Sequence, residues 1–288
     1  MEQTMRKQQN HCMQNMWGYK MKKNSIMKKY EKLKQAVKEK NKILIAFSGG
    51  VDSSLVAKIA YDVLGKNALA VTLTSETFSK RELENAEKTA SEIGIRHKIV
   101  YSSALKNKNF AKNPLNRCYL CKKDEIETLK KIAKNENIGC IADGVVMSDF
   151  NEHRPGIKAA DEYNVWHPLF EQGFSKQDTR RLARKLGLSM HSKPSTACLS
   201  SRIPYGEKIT KEKLKRIEKA ESFIFSLGFK QVRVRCHEKL ARIEVSKNEI
   251  ETIFEYKSKI VKKLKKMGFK YVTLDLEGYR SGSMDEVL

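Results

Sequence analysis

Cys118 and Cys121 stand in "NRCYLCKK" with two residues between them, the spacing at which two thiolates can grip one metal centre. No second pair of this kind occurs in the 288-residue chain, so a full ligand set needs a group from far along the sequence. The remaining cysteines sort by context. Cys140 lies in the apolar run "GCIAD" and reads as a small core residue. Cys236 ends an alternating run with no evident partner, and Cys12 sits in a segment where a ligand would be poorly held. Cys198 differs, because "KPSTACLSSRIPYG" is polar, carries two prolines and follows neither a helical nor a strand period. Three thiols at 118, 121 and 198 suit zinc, with His191 or His167 as a fourth ligand. They also suit a [4Fe–4S] cluster with one iron open to an exogenous ligand such as sulfide, the reading favoured here, or a persulfide or disulfide relay without metal. The residue types leave all three open.

The second chemical segment is "AFSGGVDSS". Gly49 and Gly50 let the backbone approach a ligand closely, while Ser48, Ser53 and Ser54 offer hydroxyls. Val51 and Asp52 open a helical pattern whose free N–H groups and positive dipole end point at the same spot. That is a pyrophosphate cradle. It lacks the Gly-Lys-Ser/Thr ending of a Walker loop. Further along, "VRVR" places Arg233 and Arg235 on one strand face. Their planar forks suit phosphate or carboxylate oxygens, the alternative being a solvated basic face.

The elements that must hold these groups follow from periodicity. "KILIAFSGG", "ALAVTLTS", "HKIVYSS" and "GCIADGV" read as strands, separated by helical patterns at 51–65, 79–93 and 122–136. Strands alternating with helices predict an α/β fold, a parallel sheet with helices on both faces, whose ligands lie beyond the carboxyl ends of the strands. Residues 150–174 look irregular, and "SKQDTRRLARKLG" is a helix with an N-terminal box at Ser175 and Asp178. After about residue 208 the pattern changes to a helix at 211–227, two alternating runs, a helix at 248–267 and a final strand, a small C-terminal α+β domain. The division is a mobile or loosely helical extension at 1–30, a nucleotide-binding domain at 31–207 and a substrate or assembly domain at 208–288.

Composition sets the outer bounds. Lys and Arg total 57 against 34 Asp and Glu, a formal net charge of +23 that attracts phosphates on nucleic acid or on small molecules. No apolar run approaches the roughly 20 residues of a membrane span, and no secretion signal is evident, so a cytoplasmic location is expected.

SGGxDS resembles the PP-loop of the ATP pyrophosphatases, which adenylate a substrate and release pyrophosphate. Together with "NRCYLCKK", "RPGIKAADE", "KPSTACLSSRIPYG" and "LDLEGYRSGSM", in this order, it makes residues 40–285 resemble the LarE family of ATP-dependent sulfur transferases. The resemblance implies ATP and Mg²⁺, with residues 48–54 and Gly144 at the nucleotide and Asp52 organising its magnesium-pyrophosphate end. It implies as substrate pyridinium-3,5-biscarboxylic acid mononucleotide, whose adenylated carboxylate becomes a thiocarboxylate in making a nickel-pincer cofactor. Cys198 would be catalytic, Arg202 catalytic and substrate-binding, and Arg233, Arg235 and Arg280 substrate-binding. Members holding all three cysteines look like cluster enzymes, so Cys118, Cys121 and Cys198 are expected to carry a [4Fe–4S] cluster fed by a sulfide donor, in a homo-oligomer. "DGVVMSDF" stands where the family has "DGTNADD", with Gly144 and Asp149 matching. A tRNA thiolase of the same superfamily is the competing reading, since a chain at +23 suits RNA. With no further CxxC pairs and no recognisable RNA-binding module, a nucleic-acid partner is disfavoured.

Overall fold

The computed structural model describes residues 25–151, 155–194 and 196–286. Cys12 and most of the expected extension lie outside them. Residues 25–30, the end of that extension, belong to a helix, α1 (25–38), which runs on past residue 30. Its apolar side, including Ile26, Tyr30, Leu33 and Val37, packs on the core. Lys29 pins it by donating to the Gly173 carbonyl at 2.6 Å and to Asp178 at 2.8 Å.

Four parallel strands follow: β1 (Ile43–Ala46), β2 (Ala68–Thr74), β3 (Arg96–Tyr101) and β4 (Ile141–Ala142), in the order β3-β2-β1-β4. Between them run α2 (Val51–Leu64), α3 (Lys80–Ile93), α4 (Lys108–Ala111) and α5 (Arg117–Asn135). Alternation along a strand sends Ile43 and Ile45 to the face covered by α1 and α2, and Leu44 to the opposite face with Ile126 and Leu129 of α5. Chain direction across the sheet reverses between β1 and β4, and the loop carrying Gly49 and Gly50 leaves β1 at that crevice.

The stretch read as irregular contains α6 (Pro155–Glu162) and α7 (Pro168–Glu171). Next comes α8 (Lys176–Lys185), whose capping box forms between Ser175 and Asp178 as expected. The last third folds as α9 (Lys211–Phe225), β5 (Val232–His237), β6 (Leu240–Val245), α10 (Ile250–Glu255), α11 (Lys257–Lys266) and β7 (Tyr271–Leu274). The single helix expected at 248–267 breaks at Tyr256, whose ring turns edge-on to Phe229. β5 pairs antiparallel with β6, and β6 parallel with β7. This sheet's core is not confined to its own segment. It takes in Phe110, Leu199, Ile203 and Ile209 from the preceding polypeptide.

Candidate active site

The loop after β1 is built from backbone constraints. Gly49 sits at φ +67°, and a Cβ there would lie 2.6 Å from the Ala86 Cα of α3. A Cβ on Gly144 would lie 2.5 Å from the Ser53 amide, so glycine is what lets the end of β4 close on the start of α2. Ser48 and Ser53 face each other at 3.1 Å between hydroxyls, and the Gly50 amide donates to the Ser48 hydroxyl at 3.3 Å. The Ser54 hydroxyl is enclosed within the fold.

Asp52 projects from the first turn of α2 and accepts a 2.6 Å hydrogen bond from the Thr179 hydroxyl of α8. Burial raises its carboxyl above the usual range and the Asp149 charge adds to this, against the pull of Thr179, Lys176 and Arg180. Asp149 is buried with Lys176 Nζ at 3.1 Å. Two carboxylates flanked by cations suit a magnesium ion that arrives on a triphosphate. Lys176, Thr179 and Arg180 were missed in the sequence. Their signal is positional, since spacings of three and four on a capped helix direct all three to one side of its first turns.

These groups open into a cleft of about 570 Å³ lined by Ser48, Gly50, Val51 and Asp52 on one wall and by Ala197, Cys198, Arg202 and Arg233 on another. Its size is that of a small-molecule site. Cys198 is exposed to the cleft, its Sγ 2.9 Å from the hydroxyl of Ser200, which is buried. The loop is anchored by the Leu199 amide, which donates to the Thr77 carbonyl at 2.8 Å.

Arg202 is almost fully enclosed. Its Nε and one terminal nitrogen donate to Glu221 at 2.8 and 3.2 Å, and the other donates to the Ala197 and Cys198 carbonyls and to Ser201 Oγ. The structure therefore gives Arg202 the work of shaping the Cys198 loop. Arg235 is also committed: it grips the fully buried Glu244 at 2.9 and 2.7 Å and reaches the Ser201 carbonyl and Ser283 hydroxyl at 3.0 Å each. It does not line the cleft, unlike Arg233 on the same strand. Burial, and then the nearby Arg202 charge, both push the Arg233 guanidinium downward. Arg280 also lies off the cleft, held by Glu277 at 2.7 Å and Glu286 at 3.0 Å.

Cys118 and Cys121 lie in the first turns of α5, which begins five residues before the expected helix and so puts both thiols on one helical side. Desolvation first, and then the charge of Cys198, push the Cys118 thiol up to about 11, although the residue keeps an exposed edge. Cys121 moves in the same direction through desolvation, Glu125 and Cys198. Its Sγ donates to Glu125 at 3.5 Å, and Glu125 lines the cleft. Cys198 thus acts electrostatically on both members of the pair. Asn113, in a left-handed conformation, bolts the two segments together: its side chain donates to the Ile203 and Pro204 carbonyls at 3.3 and 2.6 Å and accepts from Arg117 at 2.7 Å.

Among the described residues, no three His, Cys, Asp or Glu side chains converge as the ligands of one ion would. His167 cannot complete a zinc site here, because Nδ1 lies 2.7 Å from Asp143 and Nε2 3.1 Å from Asp161. His191 contributes its backbone carbonyl to Arg180 rather than a ring nitrogen to the cysteines. Cys140 packs partly buried against the main core, and Cys236 is enclosed in β5.

The NAD synthase family profile matches residues 25–115, the portion that carries the glycine loop. An uncharacterised protein of Synechocystis, slr1717, is 46% identical over 262 residues, covering 90% of this chain and 98% of the relative. The pyridinium-3,5-bisthiocarboxylic acid mononucleotide synthase of Lactiplantibacillus plantarum is 38% identical over 254 residues, 88% of this chain and 92% of the relative. The chain belongs to the LarE family. It is accordingly an ATP-dependent sulfur transferase on a PP-loop α/β fold. A tRNA-specific 2-thiouridylase of Halothermothrix orenii, 28% identical over 203 residues and covering 54% of each chain, is more distant than the LarE relative. Among the described residues, no helix is long and apolar enough to cross a membrane.

Proposed function

We propose that this LarE-family enzyme adenylates a carboxylate of pyridinium-3,5-biscarboxylic acid mononucleotide and converts it to a thiocarboxylate, a step in making a nickel-pincer cofactor. The supporting observation is that one cleft is walled on one side by the PP-loop and on another by Cys198. The substrate carboxylate oxygen attacks the α-phosphorus of ATP, and pyrophosphate leaves into the cradle of residues 48–54. Asp52 and Asp149 hold its magnesium, while Lys176 and Arg180 offset its charge. Sulfur then attacks the acyl carbon and AMP departs with the bonding pair. Adenylation is needed because a carboxylate alone offers no leaving group that sulfide can displace.

Cys118, Cys121 and Cys198 would be the residues to hold a [4Fe–4S] cluster, since Cys198 is near enough for its charge to raise both thiols of the pair. When bound, such a cluster supplies an iron open to sulfide from a donor. The chain's own residues hold the sulfur chemistry in place. Arg202 fixes the Cys198 backbone, Asn113 ties that loop to the start of α5, and Arg233 presents its guanidinium to the anionic substrate. Assembly into a homo-oligomer is part of this reading. The cleft, at about 570 Å³, has room for a small molecule.

The test separates the two half-reactions. Cys118→Ser is expected to keep substrate-dependent pyrophosphate release while losing the visible iron–sulfur absorbance and thiocarboxylate formation. Wild-type product formation by that variant removes the cluster from the mechanism. No pyrophosphate release by the wild type with this dicarboxylate removes the substrate assignment.

A further inference from the structure

Among the described residues, seven cationic side chains line the cleft, and they fall into two groups. Lys176 and Arg180 flank Asp52 near the phosphate loop, and Lys193 is paired with Glu82 at 2.7 Å. Arg202 is taken up by Glu221, and Arg233 donates to the Val232 carbonyl at 2.8 Å and lies over the Tyr279 ring. The other two are Arg81, on the first turn of α3, and Lys230, just before β5. Neither charged group has a hydrogen-bond or ion-pair partner among the described residues, and both residues are exposed, which puts them at the cleft's mouth.

Arg81 is nonetheless held. Its guanidinium stacks on the Phe225 ring of α9, 3.9 Å from the centroid, and the adjacent Lys80 amide donates to Glu218 of α9 at 2.7 Å. Stacking fixes the plane of the fork while leaving its N–H edge available. The Lys230 backbone is tied by its amide to Glu249 at 3.0 Å. A preoriented guanidinium and an ammonium lining one cleft offer the charges that a tetrahedral dianion takes. The triphosphate already has a cradle, a helix N-terminus and its own cations, so this second set serves the other reactant.

We propose that Arg81 and Lys230 bind the phosphate monoester of the mononucleotide substrate at the cleft mouth, with Phe225 as the positioning platform for Arg81. This rests on the function proposed above. It assigns recognition of the phosphate to residues outside the "VRVR" segment, and it makes the enzyme selective for the phosphorylated over the dephosphorylated pyridinium compound.

The experiment compares the dicarboxylated mononucleotide with its nucleoside in pyrophosphate-release kinetics, using the full-length protein. In Arg81→Ala the ratio of kcat/KM for mononucleotide over nucleoside falls at least tenfold, about the loss of one charge-assisted contact, while KM for ATP moves less than twofold. Arg81→Lys restores part of the ratio, Lys230→Ala lowers it as well, and Phe225→Leu gives a smaller loss. Equal effects of Arg81→Ala on both substrates, or a raised KM for ATP, overturn the assignment. If the wild type turns over neither compound, the substrate reading fails instead. Equilibrium binding of a monocarboxylated pyridinium mononucleotide and its nucleoside then decides the phosphate site, because equal affinities in wild type and Arg81→Ala refute it.

Discussion

Replacing Arg202 with methionine tests whether this residue is a structural keystone of the sulfur loop. Both partners of the Arg202–Glu221 pair are buried, and the pair is bidentate, at 2.8 and 3.2 Å. Methionine fills much of the volume but leaves the Glu221 carboxylate, among the described residues, with the Val234 amide at 3.0 Å as its donor. Removing one member of a buried pair costs about 3–5 kcal/mol, most of it for the stranded charge. The Ala197 and Cys198 carbonyls also lose their donor, so the loop loosens in addition to the global loss. Urea unfolding followed by far-ultraviolet circular dichroism measures the first effect, and the rate of Cys198 alkylation under native conditions measures the second. Arg202→Met paired with Glu221→Gln removes the orphan charge and recovers more than half of the stability, without slowing alkylation to the wild-type rate. A single variant that loses less than about 1 kcal/mol, or a double variant no more stable than the single, refutes the reasoning.

Gly49→Ala forces a side chain into a left-handed backbone and against the α3 backbone 2.6 Å away, so it is expected to lower stability by at least about 1–2 kcal/mol and to abolish ATP binding by calorimetry. For His167, burial alone lowers the imidazole pKa, but Asp143 and Asp161 outweigh it and raise the group above its ordinary 6.5. A raised folded value means that protonated His167 contributes stability which is complete below 6.5 and is lost as pH climbs through the folded value. Denaturation midpoints across that window should fall with pH in the wild type and flatten in His167→Gln.

Strands, helices and the phosphate loop were legible because each is a local pattern. Alternation at residues 43–46, glycines at the loop and a capping box at Ser175 all act over a few residues. What was not legible depends on partners distant in sequence. Arg235 and Arg280 carry the same chemistry as Arg233, yet Glu244 claims one and Glu277 and Glu286 claim the other, and nothing near "VRVR" announces a fully buried carboxylate nine residues on. Arg202 lines the cleft beside the reactive loop, yet its guanidinium is also committed to Glu221, nineteen residues on. His167 offered a plausible ring for zinc until Asp143 and Asp161 occupied both nitrogens. The helix holding Cys118 began earlier than expected because "NRCYL" has no apolar period of its own, and its backbone is ordered by contact with residues 203–206 through Asn113.

The 2.9 Å contact between Cys198 Sγ and the enclosed Ser200 hydroxyl has a bearing on the protein's history in use. Any chemistry that strips the sulfur from residue 198 takes away that hydroxyl's neighbour at the wall of the cleft, where water can enter in its place. A depleted molecule would thus stay folded and lose only its reactive thiol. Alkylation of residue 198 in a working preparation, read by mass, would count exhausted copies directly.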